Sequence, residues 1–283
     1  MARFNETLKS VRKTILDQVL AEGICPTSSQ LAREHALSEN ETARVLKELE
    51  AGICVAIQNR SHENIEYFQE EKLEVPPPKL GEIFYARPFA TFKNHYPVWV
   101  DGEQKWYAEC AIEACGISSV FPGKEVAVRS LCRQTKAPVE IVGRDGKLVH
   151  YSPSTLRVHV GIRIRNFPDD PVGWCDYNSF FSSEEAVDAW RKNHPGVKGV
   201  TRSPEAMAAF ISELIGKGRL NYDYQPRLPV LKMAIQGYRY GLTKQWPILK
   251  YFLPDPFWMP TPYLFREMKR RGYNNRYLRF PLI

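Results

Sequence analysis

The sequence has no Cys-x-x-Cys pair, no Gly-x-Ser-x-Gly elbow, no glycine-rich phosphate loop and no His-Glu-x-x-His. Those gaps remove the zinc-ribbon, dithiol-oxidoreductase, serine-hydrolase, nucleotide-binding and zincin readings. The six histidines are scattered, with no helical spacing that suits a metal. No apolar run reaches the roughly 18 residues that a bilayer-spanning helix needs. The opening stretch "MARFNETLKSVRKTILD" lacks both an apolar signal core and a small-residue cleavage site, so the expected compartment is the cytoplasm. In that compartment the six cysteines are expected to be reduced thiols.

What is present is an ordinary globular composition with an uneven charge. Of 283 residues, 43% are apolar and 25% charged. From Glu213 onward there are thirteen Lys or Arg against four Asp or Glu, a net of +9 where the whole chain is +7. The body is therefore slightly acidic, and the basic character belongs to the tail.

Residues 6–22 carry Leu8, Val11, Ile15, Val19 and Leu20 at helical spacing. Thr27 with Gln30, and Ser38 with Glu41, are capping boxes that open two further helices. "ICVAIQNRSHENIEYF" reads as two strands around a polar turn, and three helices followed by a hairpin is a winged-helix pattern. Its third helix carries Glu39, Glu41, Glu48 and Glu50 against Arg44 and Lys47, a charge balance that argues against DNA as its partner. "EEKLEVPPPKLG" is a stiff linker.

Beyond the linker, "YPVWVDGEQKWYAE" alternates around Asp101-Gly102 and reads as a hairpin. Helical composition follows over 108–116, then strands at 125–131, 138–142, 147–151 and 156–164. Helices are expected to start at Ser182, with a box to Glu185, and at Ser203. The expected fold is α+β: a winged-helix-like domain over 1–69, a Pro-rich linker over 70–82, and a mostly antiparallel sheet core with flanking helices over 83–215. A basic, aromatic- and Pro-rich extension over 216–283 completes the chain. Its Lys and Arg suit an acidic partner, nucleic acid or an anionic membrane surface; the simpler reading packs its aromatics on the core.

The chemistry centres on "WYAECAIEACG", where Glu109, Cys110, Glu113 and Cys115 fall within seven residues. On a helix Cys110 and Glu113 share a face, and Cys115 lies well around from them. A second thiol, Cys175 in "GWCDYNSFFSS", is expected to enter a strand, with Asp176 on its opposite face. Cys25 and Cys54 sit among apolar residues as small fillers, and Cys132 marks a strand end.

With those residues in view, the stretch from about 5 to 212 resembles the organomercurial (alkylmercury) lyase family. "WYAECAIEACGI" looks like the segment with the first catalytic cysteine and an acid three residues later. "VAVRSLCRQTKAPV" looks like the family's structural-cysteine strand, and "GWCDYNSFFSSEEAVDAWRKNHPGVKGVTRSPEAMAAF" like the segment with its second catalytic cysteine. The resemblance implies catalytic roles for Cys110, Glu113 and Cys175, mercury held by Cys110 and Cys175, and a structural Cys132. Glu113 stands where the family typically has aspartate, and the extension has no counterpart in it.

The implied reaction is protonolysis of a carbon–mercury bond, giving hydrocarbon and Hg(II), with no cofactor beyond external low-molecular-weight thiols that remove the product. Thiolates suit such a soft metal. The substrate would be an organomercurial or related soft-metal compound, and the role detoxification. The alternative reading is a non-catalytic soft-metal-binding or winged-helix regulatory protein of the same fold.

Overall fold

The structure is a computed structural model, and it describes residues 2–51, 54–58, 70, 72, 79–163, 175–214 and 230–242. Seven helices and eleven strands are described, and every strand pairing is antiparallel, which makes the fold α+β as its sequence pattern indicates.

Helix α1 (Ala2–Glu22) buries Leu8, Val11, Ile15 and Val19, the stripe set by their three- and four-residue spacing. Helix α2 (Ser28–Glu34) starts at a complete capping box, with Thr27 accepting from the Gln30 amide and the Gln30 side chain accepting from the Thr27 amide. Ser38 and Glu41 repeat the device ahead of α3 (Glu39–Ala51). Strand β1 (Val55–Ile57) follows, and its partner is β2 (Ile83–Ala86), which pairs in turn with β3 (Phe89–Ala90). The three expected helices are therefore present. The expected second strand of the wing and the triple proline of the linker lie outside the described residues.

Strands β4 (Pro97–Val100) and β5 (Glu103–Tyr107) form the expected hairpin. Asp101 and Gly102 both have positive φ, at 50° and 87°, as a tight two-residue turn requires. The hairpin joins β6 (Glu125–Leu131), β7 (Pro138–Arg144) and β8 (Lys147–Ser152) in a five-stranded sheet of order β5-β4-β6-β7-β8. A third sheet places β9 (Arg157–Arg163) between β10 (Ser179–Phe181) and β11 (Val197–Arg202).

Helix α4 (Ala111–Gly116) is buried throughout and packs on α6 (Pro204–Leu214). Gly116 lets the two approach, because a Cβ there would overlap Cγ2 of Ile211. Helix α5 (Glu184–Asn193) begins one residue later than its sequence suggests: Ser183, not Ser182, is the cap and accepts from the Ala186 amide. Ser182 is engaged elsewhere: its hydroxyl donates to the Cys132 sulfur and its carbonyl accepts from the Thr155 hydroxyl. Of the extension, α7 (Val230–Arg239) and the residues to 242 are described. Gln236 and Tyr240 both donate to Glu213 on α6, the Tyr240 ring meets Phe210 edge-on, and Leu242 is fully buried. This part of the tail packs on the core as the simpler reading holds. The rest of the extension lies outside the described residues.

Among the described residues, no helix is long and apolar enough to cross a membrane.

Candidate active site

The segment Ala108–Cys110 runs from the end of β5 to the start of α4, and three neighbours fix its backbone. Ala108 donates to the Tyr96 carbonyl at 2.9 Å and bridges Phe89. Glu109 donates to the Pro88 carbonyl at 2.9 Å, which sets it beside Arg87 in the β2–β3 turn. Cys110 is consequently extended, at φ −161° and ψ −179°, and is the residue before α4 rather than part of it. The expected helical start at 108 is thus corrected: pairing with β3 holds these residues in a strand-like path, whatever their helical composition. Cys110 has no side-chain capping bond, so its thiol is directed to other partners.

Cys175 opens a short 3₁₀ turn, Cys175–Tyr177, ahead of β10, and does not itself enter a strand. The turn is held from below by Arg133, whose guanidinium donates to the Asp176 carbonyl and, at 3.0 Å, to the Ser179 hydroxyl. Asp176 is buried in the turn, not displayed on the far face of a strand. The same guanidinium pairs with Glu70 and stacks over the Trp190 ring at 4.8 Å. Glu70 also meets His194 at 2.8 Å, the residue that ends α5 as its position before Pro195 suggests. Burial would raise the Glu70 carboxyl, but Arg133 and then His194 hold it below its ordinary value.

Asn178 joins the two cysteine segments. Its carbonyl accepts from the Ala111 amide at 3.2 Å and from the Tyr96 hydroxyl at 3.1 Å, and its side-chain amide donates to Sγ of Cys110 at 3.7 Å. The two cysteine segments are thereby tied together: Asn178 reaches Cys110, and Cys175 reaches Glu109, the residue before Cys110. Contact with Cys110 is the largest cause pushing the Cys175 thiol well above its ordinary value, followed by burial and the Glu109 carboxylate, with Arg87 opposing. Cys175 is therefore held as a protonated thiol.

The Cys175 thiol donates to Oε1 of Glu109 at 2.7 Å, and the Arg87 guanidinium reaches the same oxygen at 3.2 Å. Burial alone would pull Arg87 down. Glu109 first, then Cys175, Glu113 and Cys110, more than offset that and hold it above its ordinary value. Glu113, buried on α4, thus shares the electrostatic field of the site. Neither Glu109 nor Arg87 is assigned a role by sequence alone. An acid directly preceding a candidate thiol in an otherwise apolar stretch was the available signal for Glu109. Nothing local marked Arg87.

The other cysteines stand apart. Cys115 is buried and its thiol is pushed up by that burial, with Cys110, Glu205 and Glu113 adding to it. Burial raises Cys25 likewise. Cys132 closes the β6–β7 turn: the Thr135 amide and the Ser182 hydroxyl both donate to its sulfur, at 3.4 and 3.5 Å. Burial would raise that thiol, but those donors hold it below its ordinary value.

The chain is thus a mixed α+β protein in which two thiols and two buried carboxyls converge around one guanidinium. The family model described as alkylmercury lyase matches residues 89–216, a segment that holds both thiols. Alkylmercury lyases of Bacillus cereus and Clostridium butyricum are each 33% identical over 106 residues, covering 35% of this chain and 44% of theirs. The chain therefore spans less than half the length of these curated relatives. A crystal structure of the mercury-bound form of MerB2 shares the fold, with a TM-score of 0.51 at 20% identity, over 77% of this chain and 98% of that one.

Proposed function

We propose that the protein cleaves carbon–mercury bonds, releasing the hydrocarbon and retaining Hg(II) on Cys110 and Cys175. The observation that carries this reading is that both thiols are tied to one spot, Cys175 through its bond to Glu109, the neighbour of Cys110, and Cys110 through its bond from Asn178, three residues beyond Cys175, which suits one soft ion shared by two sulfurs. Sulfur pairs bind mercury far better than imidazole or carboxylate would, and the likeness of residues 89–216 to alkylmercury lyases supplies the reaction class.

Cys110 attacks first, while the Cys175 thiol is engaged as a donor to Glu109. Its sulfur displaces the outgoing ligand of the mercurial and forms the first S–Hg bond. Cys175 then loses its proton and becomes the second sulfur ligand. A carboxyl group carries a proton to the departing carbon as the C–Hg bond breaks, and the family resemblance nominates Glu113. External thiols then remove Hg(II), which is substrate-derived cargo rather than a resident cofactor.

The test is hydrocarbon release from an aryl mercurial under excess thiol. Wild type is expected to turn over repeatedly, while Cys110→Ser and Cys175→Ser each lose multiple turnover. Tight Hg(II) binding by the wild type with no hydrocarbon would overturn the reading in favour of a soft-metal-binding protein.

A further inference from the structure

We infer that Glu109, rather than Glu113, is the catalytic carboxyl that takes the Cys175 proton and delivers it to the leaving carbon. This assignment rests on the carbon–mercury cleavage proposed above. Its basis is the shared oxygen: Oε1 of Glu109 accepts the Cys175 thiol at 2.7 Å and receives the Arg87 guanidinium at 3.2 Å. The Glu109 side chain is 1% exposed and that of Arg87 16%, so the pair acts with little solvent screening. The backbone bond from Glu109 to Pro88, next to Arg87, fixes the carboxyl's origin.

The charge arrangement suits a proton carrier that works in both directions. The Glu109 oxygen already accepts the Cys175 S–H beside Arg87, so the path for the proton is in place. Mercury on Sγ of Cys175 strongly acidifies that thiol, because a metal-bound thiol gives up its proton. The S–H bond then breaks and its proton passes to Glu109 along the existing hydrogen bond. The resulting acid stays beside the Arg87 guanidinium. As the C–Hg bond breaks, its electron pair takes the proton from Glu109 and forms the C–H bond. The mercury ends as Hg(II) on two thiolates, and Glu109 returns to the anion. Nothing is oxidised or reduced.

The experiment is single-turnover release of hydrocarbon from an aryl mercurial, with Hg(II) binding measured in parallel on the full chain. Variants are Glu109→Gln, Glu109→Asp and Glu113→Gln. Glu109→Gln is expected to bind Hg(II) one-to-one yet release hydrocarbon about 10²-fold more slowly or worse, the usual size of a lost general acid–base group. Glu109→Asp keeps the acid but withdraws it by a methylene, and is expected to fall between the two. Should Glu109→Gln fail to fold, Glu109→Asp decides, because a wild-type rate there overturns the assignment. A wild-type rate in Glu109→Gln overturns it too, and a loss confined to Glu113→Gln returns the proton to Glu113. Those results leave the cleavage reading intact. Absence of hydrocarbon from the wild type removes both.

Discussion

The side-chain amide of Asn178 donates to Sγ of Cys110 at 3.7 Å, while its Oδ1 accepts from the Gly161 amide at 3.1 Å. The Gly161 donor fixes which way the amide faces, so the nitrogen is the atom turned to sulfur. Asn178 lies three residues beyond Cys175, and its backbone N–H donates to the Cys175 carbonyl at 3.2 Å. It therefore positions both thiols from one place.

Replacing that donor tests the role. Asn178→Asp keeps an acceptor for Gly161 but turns an anion toward the Cys110 sulfur. It is expected to slow mercurial uptake by Cys110 about ten-fold or more, the scale of losing a hydrogen bond to a charged group. Asn178→Ala also leaves the Gly161 amide without its partner, at about 1–3 kcal/mol of stability. Stopped-flow uptake and denaturant melts read the two effects separately. An unchanged uptake rate in a folded Asn178→Asp would show that the amide does not serve the thiol.

His159 sets a second expectation. Its ring is fully buried on β9, over the paired Gly161 and Gly199, where a Cβ at either position would collide with the imidazole. Nδ1 faces the Tyr177 carbonyl at 3.0 Å and so carries the hydrogen. Burial first, with Arg191 and Arg133 adding repulsion, outweighs that hydrogen bond and lowers the folded pKa from 6.5 to about 4. The unfolded chain thus binds the proton more readily between those values. Stability is expected to be intact above pH 6.5 and to fall as pH drops toward 4, by about 3 kcal/mol in all. Urea melts from pH 7 to pH 4 check this. His159→Gln is expected to flatten that part of the profile.

The α4–α6 approach gives a third. Because a Cβ at Gly116 would overlap Cγ2 of Ile211, Gly116→Ala is expected to cost about 1–3 kcal/mol through overpacking. Pairing it with Ile211→Ala removes the colliding methyl, so the double variant should lose less than the sum of the two singles. Additive losses in denaturant midpoints would count against the contact as the cause.

Legibility from sequence followed distance along the chain. The capping boxes at Thr27 and Ser38 and the hairpin turn at Asp101-Gly102 are local devices, and they stand where the residues indicate. The paired thiols were legible through a family likeness rather than through periodicity. Cys110 was misplaced into the helix because local composition does not report that Ala108 pairs with Phe89. The bond from Cys175 to Glu109 spans 66 positions, and no local pattern encodes such a contact. The same holds for β1, whose partner β2 comes from beyond the linker.

Glu70 belongs to the stretch that leads out of the N-terminal helices, yet it pairs with Arg133, and Arg133 grips the Asp176 carbonyl immediately after Cys175. Glu70 therefore works as a brace, through Arg133, for the turn that opens at the second sulfur. A fragment cut after residue 70 would retain both thiols in its sequence while losing one brace of the turn that carries the second.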